Sequence, residues 1–245
     1  MDHTTRAFDL DLQEIERKVV EMGHQVKRQI EDATGAMLRH DVAFAERVAA
    51  ADSRLDALQR EIEGLAVTTI ARRQPVAVDL RGLIGAIRMV NDLERIGDFA
   101  KNIAKRVAAL ANEFRINGVM PQFELMARQV VSQLTSVMES YERRDVSEAL
   151  EVWRNDQDID ALNNSLFRTL LTHMMEDPRN ISSCIHLLFC AKNVERMGDH
   201  ITNVAEAIHY IIEGHEIEAE RPRADTTSAI KCGTTAGEVP SRTRR

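Results

Sequence analysis

The chain is poor in the residues that punctuate and cross-link a fold. Its 245 residues include 5 prolines, 11 glycines and 3 cysteines, and aromatic side chains make up 4%. With so few breakers, and no stretch alternating apolar and polar residues, helix is favoured over sheet. Cys184, Cys190 and Cys232 are odd in number and lack paired spacing, which excludes a disulfide framework and fits a reducing cytoplasm. Cys184, His186 and Cys190 read as packed helix residues more readily than as soft-metal ligands, because a six-residue step falls between helical repeats. No basic region followed by an apolar stretch opens the chain, so no secretory signal is expected. No window approaches the roughly 18 apolar residues of a membrane span, so any membrane contact is expected to run through a partner. The net charge of -7 and the lack of a basic stripe with interleaved aromatics argue against nucleic-acid binding. A Gly-rich phosphate cradle, a Gly-x-Ser-x-Gly elbow and a His-Glu-x-x-His zinc motif are all missing.

What is there is a phrase stated twice. Glu94-Arg95-Ile96-Gly97-Asp98, followed by Asn102, returns as Glu195-Arg196-Met197-Gly198-Asp199, followed by Asn203. The match extends upstream: Asp41, Val42, Ala45, Val48, Asp52, Asp56, Ala57 and Leu58 recur as Asp145, Val146, Ala149, Val152, Asp156, Asp160, Ala161 and Leu162. The chain is therefore an internal duplication. Within each copy, apolar residues return every three or four positions, as in Leu12, Ile15, Val19, Met22, Val26 and Ile30. Three long helices per copy follow. In the first they run from about Phe8 to Leu38, from an Asp41 N-cap to about Ala71, and from near Val78 to about Ala111. In the second they run over Phe123–Glu142, Ser147–Met174 and Ile181–Ile212. Pro75 and Asn117-Gly118 mark breaks. The expected fold is all-α, two tandem three-helix bundles with the first repeat over residues 1–116 and the second over 117–213. The Thr-, Ser-, Gly- and Arg-containing segment 214–245 reads as a disordered tail.

Each copy carries two acidic columns at four-residue spacing. Asp52 and Asp56 lie on the middle helix of the first copy, with Glu94, Asp98 and Asn102 on its last helix. Asp156 and Asp160 are matched by Glu195, Asp199 and Asn203 in the second. Residues four apart share a helix face, and like charges there repel, so a positive partner is expected. If middle and last helices are antiparallel neighbours, four carboxylates and one asparagine converge in each bundle. The columns prolong apolar stripes through Val48, Ile87 and Val90, where a carboxylate has to be neutralised, bonded or solvated. An all-oxygen set suits divalent or trivalent ions such as Mg, Ca, Mn or Fe better than a thiolate zinc site. The bland alternative is a pair of solvated faces with Arg95 and Arg196 as intrahelical partners; recurrence on matching helices favours metal. Gly97 and Gly198 cost about 1 kcal/mol each inside a helix, which points to close helix approach or ligand access. No catalytic set stands out. A ferritin-like site needs Glu-x-x-His on two helices, and His200 is matched by Phe99 in the first copy. The other histidines, His24, His40, His173, His186, His209 and His215, read as surface or core.

The ordered set Asp52-x-x-x-Asp56, Gln74-Pro75-x-x-x-Asp79-Leu80-Arg81, Glu94-Arg95-Ile96-Gly97-Asp98, Asp156-x-x-x-Asp160 and Glu195-Arg196-Met197-Gly198-Asp199-His200 resembles the PhoU family of phosphate-signalling regulators over residues 5–213. The second copy departs from it at Asn180-Ile181-Ser182. The resemblance implies two similar three-helix bundles whose acidic motifs bind metal clusters (Fe, Mn, Mg, Zn or Ca) and a homodimer. It implies a cytoplasmic, non-enzymatic negative regulator of phosphate uptake and of the phosphate-starvation response. Its implied partners are the ATPase component of a phosphate ABC transporter, at the inner face of the membrane, and a sensor histidine kinase with its response regulator. The alternative reading of the acidic residues is a carboxylate-bridged metalloenzyme of phosphatase or oxidase type.

Overall fold

A computed structural model describes residues 2–111 and 118–219, and all its regular structure is helical among these residues. The first copy forms α1 (Asp2–Arg39), α2 (Val42–Arg73) and α3 (Ala77–Ala111). The second forms α4 (Met120–Arg143), α5 (Val146–Arg154), α6 (Asp156–Glu176) and α7 (Ile181–Glu213), with a 3-10 turn at Pro178–Asn180 before α7.

The α1–α2 and α4–α5 corners are the same device. His40 and Arg144 take the left-handed conformation at φ 52 and 53. The next amide turns back, Asp41 N to Ala36 O and Asp145 N to Ser140 O, closing the preceding helix. The side chain of Asp41 then accepts from Phe44 N, and that of Asp145 from Ser147 N and Glu148 N, opening the next. The Asp41 N-cap read from the sequence is thus in place.

One expected helix is two. The Ser147–Met174 segment breaks at Asn155, which has φ -86 and ψ 6 and separates α5 from α6. Its carbonyl accepts from Asp158 N and from the buried Gln133 side chain, 2.9 Å away. Asn155 and Asp158 are weaker helix formers than Ala51 and Arg54, which carry α2 straight through the matching positions. Asp156 and Asp158 sit in the first turn of α6, where the helix dipole favours negative charge.

The two copies share one continuous apolar cluster instead of holding separate cores. α3 and α7 form the most extensive helix pair in the molecule, and α1 also meets α4. Phe99 and His200, matched positions in the duplication, meet at 5.5 Å between ring centres, so the approximate two-fold axis relating the copies passes between them. Residues 214–219 depart from the expected tail: Gly214 turns at φ 86 and Ile217 packs against the core. Residues 220–245, the rest of that expected tail, and Cys232 lie outside the described residues. Cys184 and Cys190 are wholly buried, as packed helix residues should be, and burial pushes the Cys190 thiol up to about 12. No helix is long and apolar enough to cross a membrane among the described residues.

Candidate carboxylate sites

In the first copy α2 and α3 bring the expected carboxylates together. Asp52 is 4% exposed, while Asp56, Glu94 and Asp98 are half-buried. Glu94 is held above the ordinary carboxylate range, first by burial and then by the charge of Asp98; Arg95 opposes the shift, and Asp56 and Asp52 add to it. The charges of Asp98, Asp56 and Asp52 thus all act on Glu94 across the α2–α3 pair. Arg95 stands 3.7 Å from Glu94 and 3.8 Å from Asp98, the intrahelical partner foreseen, but it is largely exposed.

The positive partner that like charges demand is partly built in. Lys101, one turn after Asp98 on α3, donates to both Asp52 and Asp98. Its ammonium is raised well above its ordinary value, chiefly by the hydrogen bond to Asp52 and then by that to Asp98, against the cost of burial. The other oxygen of Asp52 accepts from Gln29 Nε2 at 3.1 Å. Lys101 and Gln29 were missed in the sequence. Gln29 did carry a signal, since a polar residue in the α1 stripe recurs as Gln133 at the matching place in α4, and both are buried.

The second copy keeps the carboxylates and changes the counter-ion. Asp156, Asp160 and Glu195 are 3%, 6% and 5% exposed, deeper than their counterparts, and Asp199 is half-buried. Thr202 stands where the first copy has Lys101, and it spends its hydroxyl on Asp199 O at 2.7 Å. The cation here is Lys192, which reaches Glu195 at 2.7 Å from the preceding turn of α7. Gln133 donates to Asn155 O, and its buried Oε1 has no hydrogen-bond partner among the described residues.

The two asparagines do not join these clusters. Successive residues on a helix are turned by about 100°, so each four-residue step drifts about 40°, and a column of three swings about 80° off its starting face. Asn203 therefore reaches across the α3–α7 seam and donates to Asp92 at 3.0 Å, beside His200 at 2.7 Å from the same oxygen. Asn102 is exposed and lines a groove on that seam. The expectation that each asparagine completes a carboxylate pocket is corrected on this ground. Asp92 was not singled out in the sequence, and Asn193 at its matching position gave no hint of it.

The glycines act by close approach. A Cβ on Gly97 would strike the side chain of Leu55 and come within 3.1 Å of Gln29 Oε1. A Cβ on Gly198 would stand 3.0 Å from Ile159 and 3.2 Å from the Asp156 carboxylate. Absence of a side chain on the last helix thus lets the middle helix pack close, through Leu55 in the first copy and through Ile159 and the Asp156 carboxylate in the second.

Among the described residues no group of three His, Cys, Asp or Glu side chains stands in ligating geometry, and ammonium groups take part of the carboxylate oxygens. The donor chemistry nevertheless fits a hard cation. Each copy offers four carboxylates, of which Asp52 in the first and Asp156, Asp160 and Glu195 in the second are buried. In the second copy a buried amide oxygen, Gln133 Oε1, is also without a donor.

The PhoU domain matches this chain twice, over residues 19–107 and 123–208. A phosphate-specific transport system accessory protein PhoU homolog from Rhizobium meliloti is 45% identical over 228 residues, covering 93% of this chain and 96% of the relative. A protein of the same description from Caulobacter vibrioides is 42% identical over 227 residues, covering 93% and 99%. The crystal structure of PhoU from Pseudomonas aeruginosa superposes with a TM-score of 0.81 at 33% identity, covering 85% of this chain and all of that one. The phosphate transport system regulatory protein PhoU from Streptococcus pneumoniae gives 0.80 at 27% identity, covering 86% of this chain. With the domain matched in both copies and the fold shared along nearly the whole described length, the chain belongs to the PhoU family.

Proposed function

We propose that this protein is an accessory regulator of phosphate transport that restrains phosphate uptake and the phosphate-starvation response, and that it works as an adaptor and not as an enzyme. It would sit at the inner face of the membrane, between the ATPase component of a phosphate ABC transporter and a sensor kinase with its response regulator, as a homodimer. Support for the transport role comes from relatives named as accessory proteins of phosphate-specific transport that span almost the full chain. The observation that carries the adaptor reading is the duplicated helical frame with one acidic cluster per copy and, among the described residues, no nucleophile–base pair beside either. Deletion of the gene in phosphate-replete cells tests it. Starvation genes should switch on and phosphate uptake should rise; silent genes with unchanged uptake would refute the regulatory role.

In the same reading the two clusters hold metal. Asp52, Asp56, Glu94 and Asp98 would be the protein ligands of the first site, and Asp156, Asp160, Glu195 and Asp199 those of the second. A bound ion would supply positive charge that cross-links middle and last helices, so its role is to set the spacing and surface of each bundle. Elemental analysis of untagged protein purified without chelator, followed by melting with and without added Mn, decides the point. A metal-free protein whose melting does not respond to Mn, Mg, Zn or Fe would remove the metal claim and leave the adaptor claim standing.

A further inference from the structure

The α3–α7 seam opens into two grooves that the duplication makes equivalent. One is lined by Asn102, Lys105, Arg106, Phe189, Lys192 and Arg196 among others and has a volume of about 610 Å³. Positions 102, 105, 106, 189 and 192 correspond, at a constant offset of 101 residues in one direction or the other, to Asn203, Glu206, Ala207, Arg88 and Asn91, which line the second groove. The backbone frame is thus the same, and the charge is inverted. Four cations and no carboxylate line the first groove. One arginine and three carboxylates, Asp92, Glu206 and Glu216, line the second.

In a chain of net charge -7, four converging cations are not a default surface. Lys105, Arg106 and Arg196 form no ion pair among the described residues, and Lys192 alone of the four reaches a carboxylate, Glu195. The guanidiniums are positioned by rings: Arg106 lies 4.3 Å over Phe189 and 3.2 Å from His186 Nδ1, and Arg196 lies 4.6 Å over Phe99. Such contacts orient an arginine without cancelling its charge, so Lys105, Arg106 and Arg196 keep a positive field facing solvent. Two planar forks, the Lys105 ammonium and the amides of Asn102 and Asn193 form a donor set that matches phosphate oxygens.

We propose that this groove binds a soluble oligophosphate, a small molecule carrying two or more linked phosphate groups. Its charge meets several of the cations at once, and a single phosphate would leave much of the groove empty. The groove meets the second carboxylate cluster only at Lys192, and its test varies Lys105 and Arg106, which touch neither cluster.

The test is calorimetric titration of the full chain with pyrophosphate, tripolyphosphate and orthophosphate. Lys105→Glu with Arg106→Ala installs the residue types that the twin groove carries at Glu206 and Ala207. Lys105→Glu alone changes an exposed side chain and serves as the variant least able to disturb folding. Pyrophosphate and tripolyphosphate should bind at one per chain, more tightly than orthophosphate and more weakly as salt rises. The double variant should lose about 10-fold or more in affinity, and the single variant a measurable part of it. No binding by wild type, or equal binding by the folded double variant, would overturn the proposal. So would adsorption to phosphatidylglycerol vesicles with no response to pyrophosphate, which would assign the charge to a membrane surface.

Discussion

Replacing Lys101 with methionine keeps most of the side chain's volume and removes the ammonium that joins Asp52 to Asp98. Breaking a fully buried pair costs about 3–5 kcal/mol and an exposed one about 0–1. Here the Asp52 side chain is 5% exposed and that of Lys101 26%, so a loss of about 2 kcal/mol is expected in metal-free protein. For a chain of this size that lowers Tm by about 4–8 °C. The same ammonium competes with any cation for Asp52 and Asp98. Its removal should therefore raise Mn affinity at the first site by as much as about 30-fold, the equivalent of 2 kcal/mol. Thermal unfolding after chelation reads the first effect. Calorimetric Mn titration in an Asp156→Asn/Asp160→Asn background, which silences the second site, reads the other. An unshifted Tm, or weaker Mn binding than in the parent, would refute the idea that Lys101 holds the place of a metal.

Glu94 is raised above its ordinary value of 4.5, so the native state binds its proton more tightly than the unfolded one, and the metal-free protein loses stability as pH rises from 4.5 through the raised value. Glu94→Gln should flatten that slope and raise Tm near neutral pH by roughly 1–3 °C while weakening Mn binding; a steeper slope by circular dichroism would count against it. Lys101 runs at the other end: its contribution is complete below 10.5 and declines as pH climbs from there through its raised value, so wild type should lose more stability than Lys101→Met in alkaline melts. Alanine suits a helix better than glycine by about 1 kcal/mol, yet Gly97→Ala should destabilise by about 1–3 kcal/mol through its collision with Leu55, and Gly198→Ala by less, as denaturant unfolding would show. Asp92→Ala strips the acceptor shared by His200 and Asn203 and should cost about 1–3 kcal/mol of stability without changing Mn affinity; a change in affinity would mean that Asn203 belongs to the metal site after all.

Much of the fold was legible because duplication repeats its own punctuation. Asp41 and Asp145 announce the same corner twice, and apolar spacing carries each helix between corners. The break at Asn155 was not legible, since an apolar period runs across it and the deciding hydrogen bond comes from Gln133, 22 residues away. The carboxylates were legible as columns, but a column is a local statement, and it said nothing of the lysine that crosses between helices to sit among them. Asn102 and Asn203 misled because four-residue spacing was extended one turn too far, past the point where helix drift turns a side chain from the bundle to the seam. The charge inversion between the two grooves was also present in the sequence, as Lys105-Arg106 against Glu206-Ala207. It had meaning only once α3 and α7 were known to lie together.

The Asn155 break bears on how the two copies yield. An unbroken helix frays only from its ends, and α2 has its ends far along the chain from Asp52. The second copy places two helix ends one residue before Asp156. A nine-residue helix is marginal in isolation, so α5 persists by anchoring Ala149, Val152 and Trp153 in the core. Local opening, seen as amide hydrogen exchange, should therefore begin around residues 152–158 well before global unfolding. The more deeply buried of the two carboxylate clusters thus has the door beside it, and the shallower one needs none.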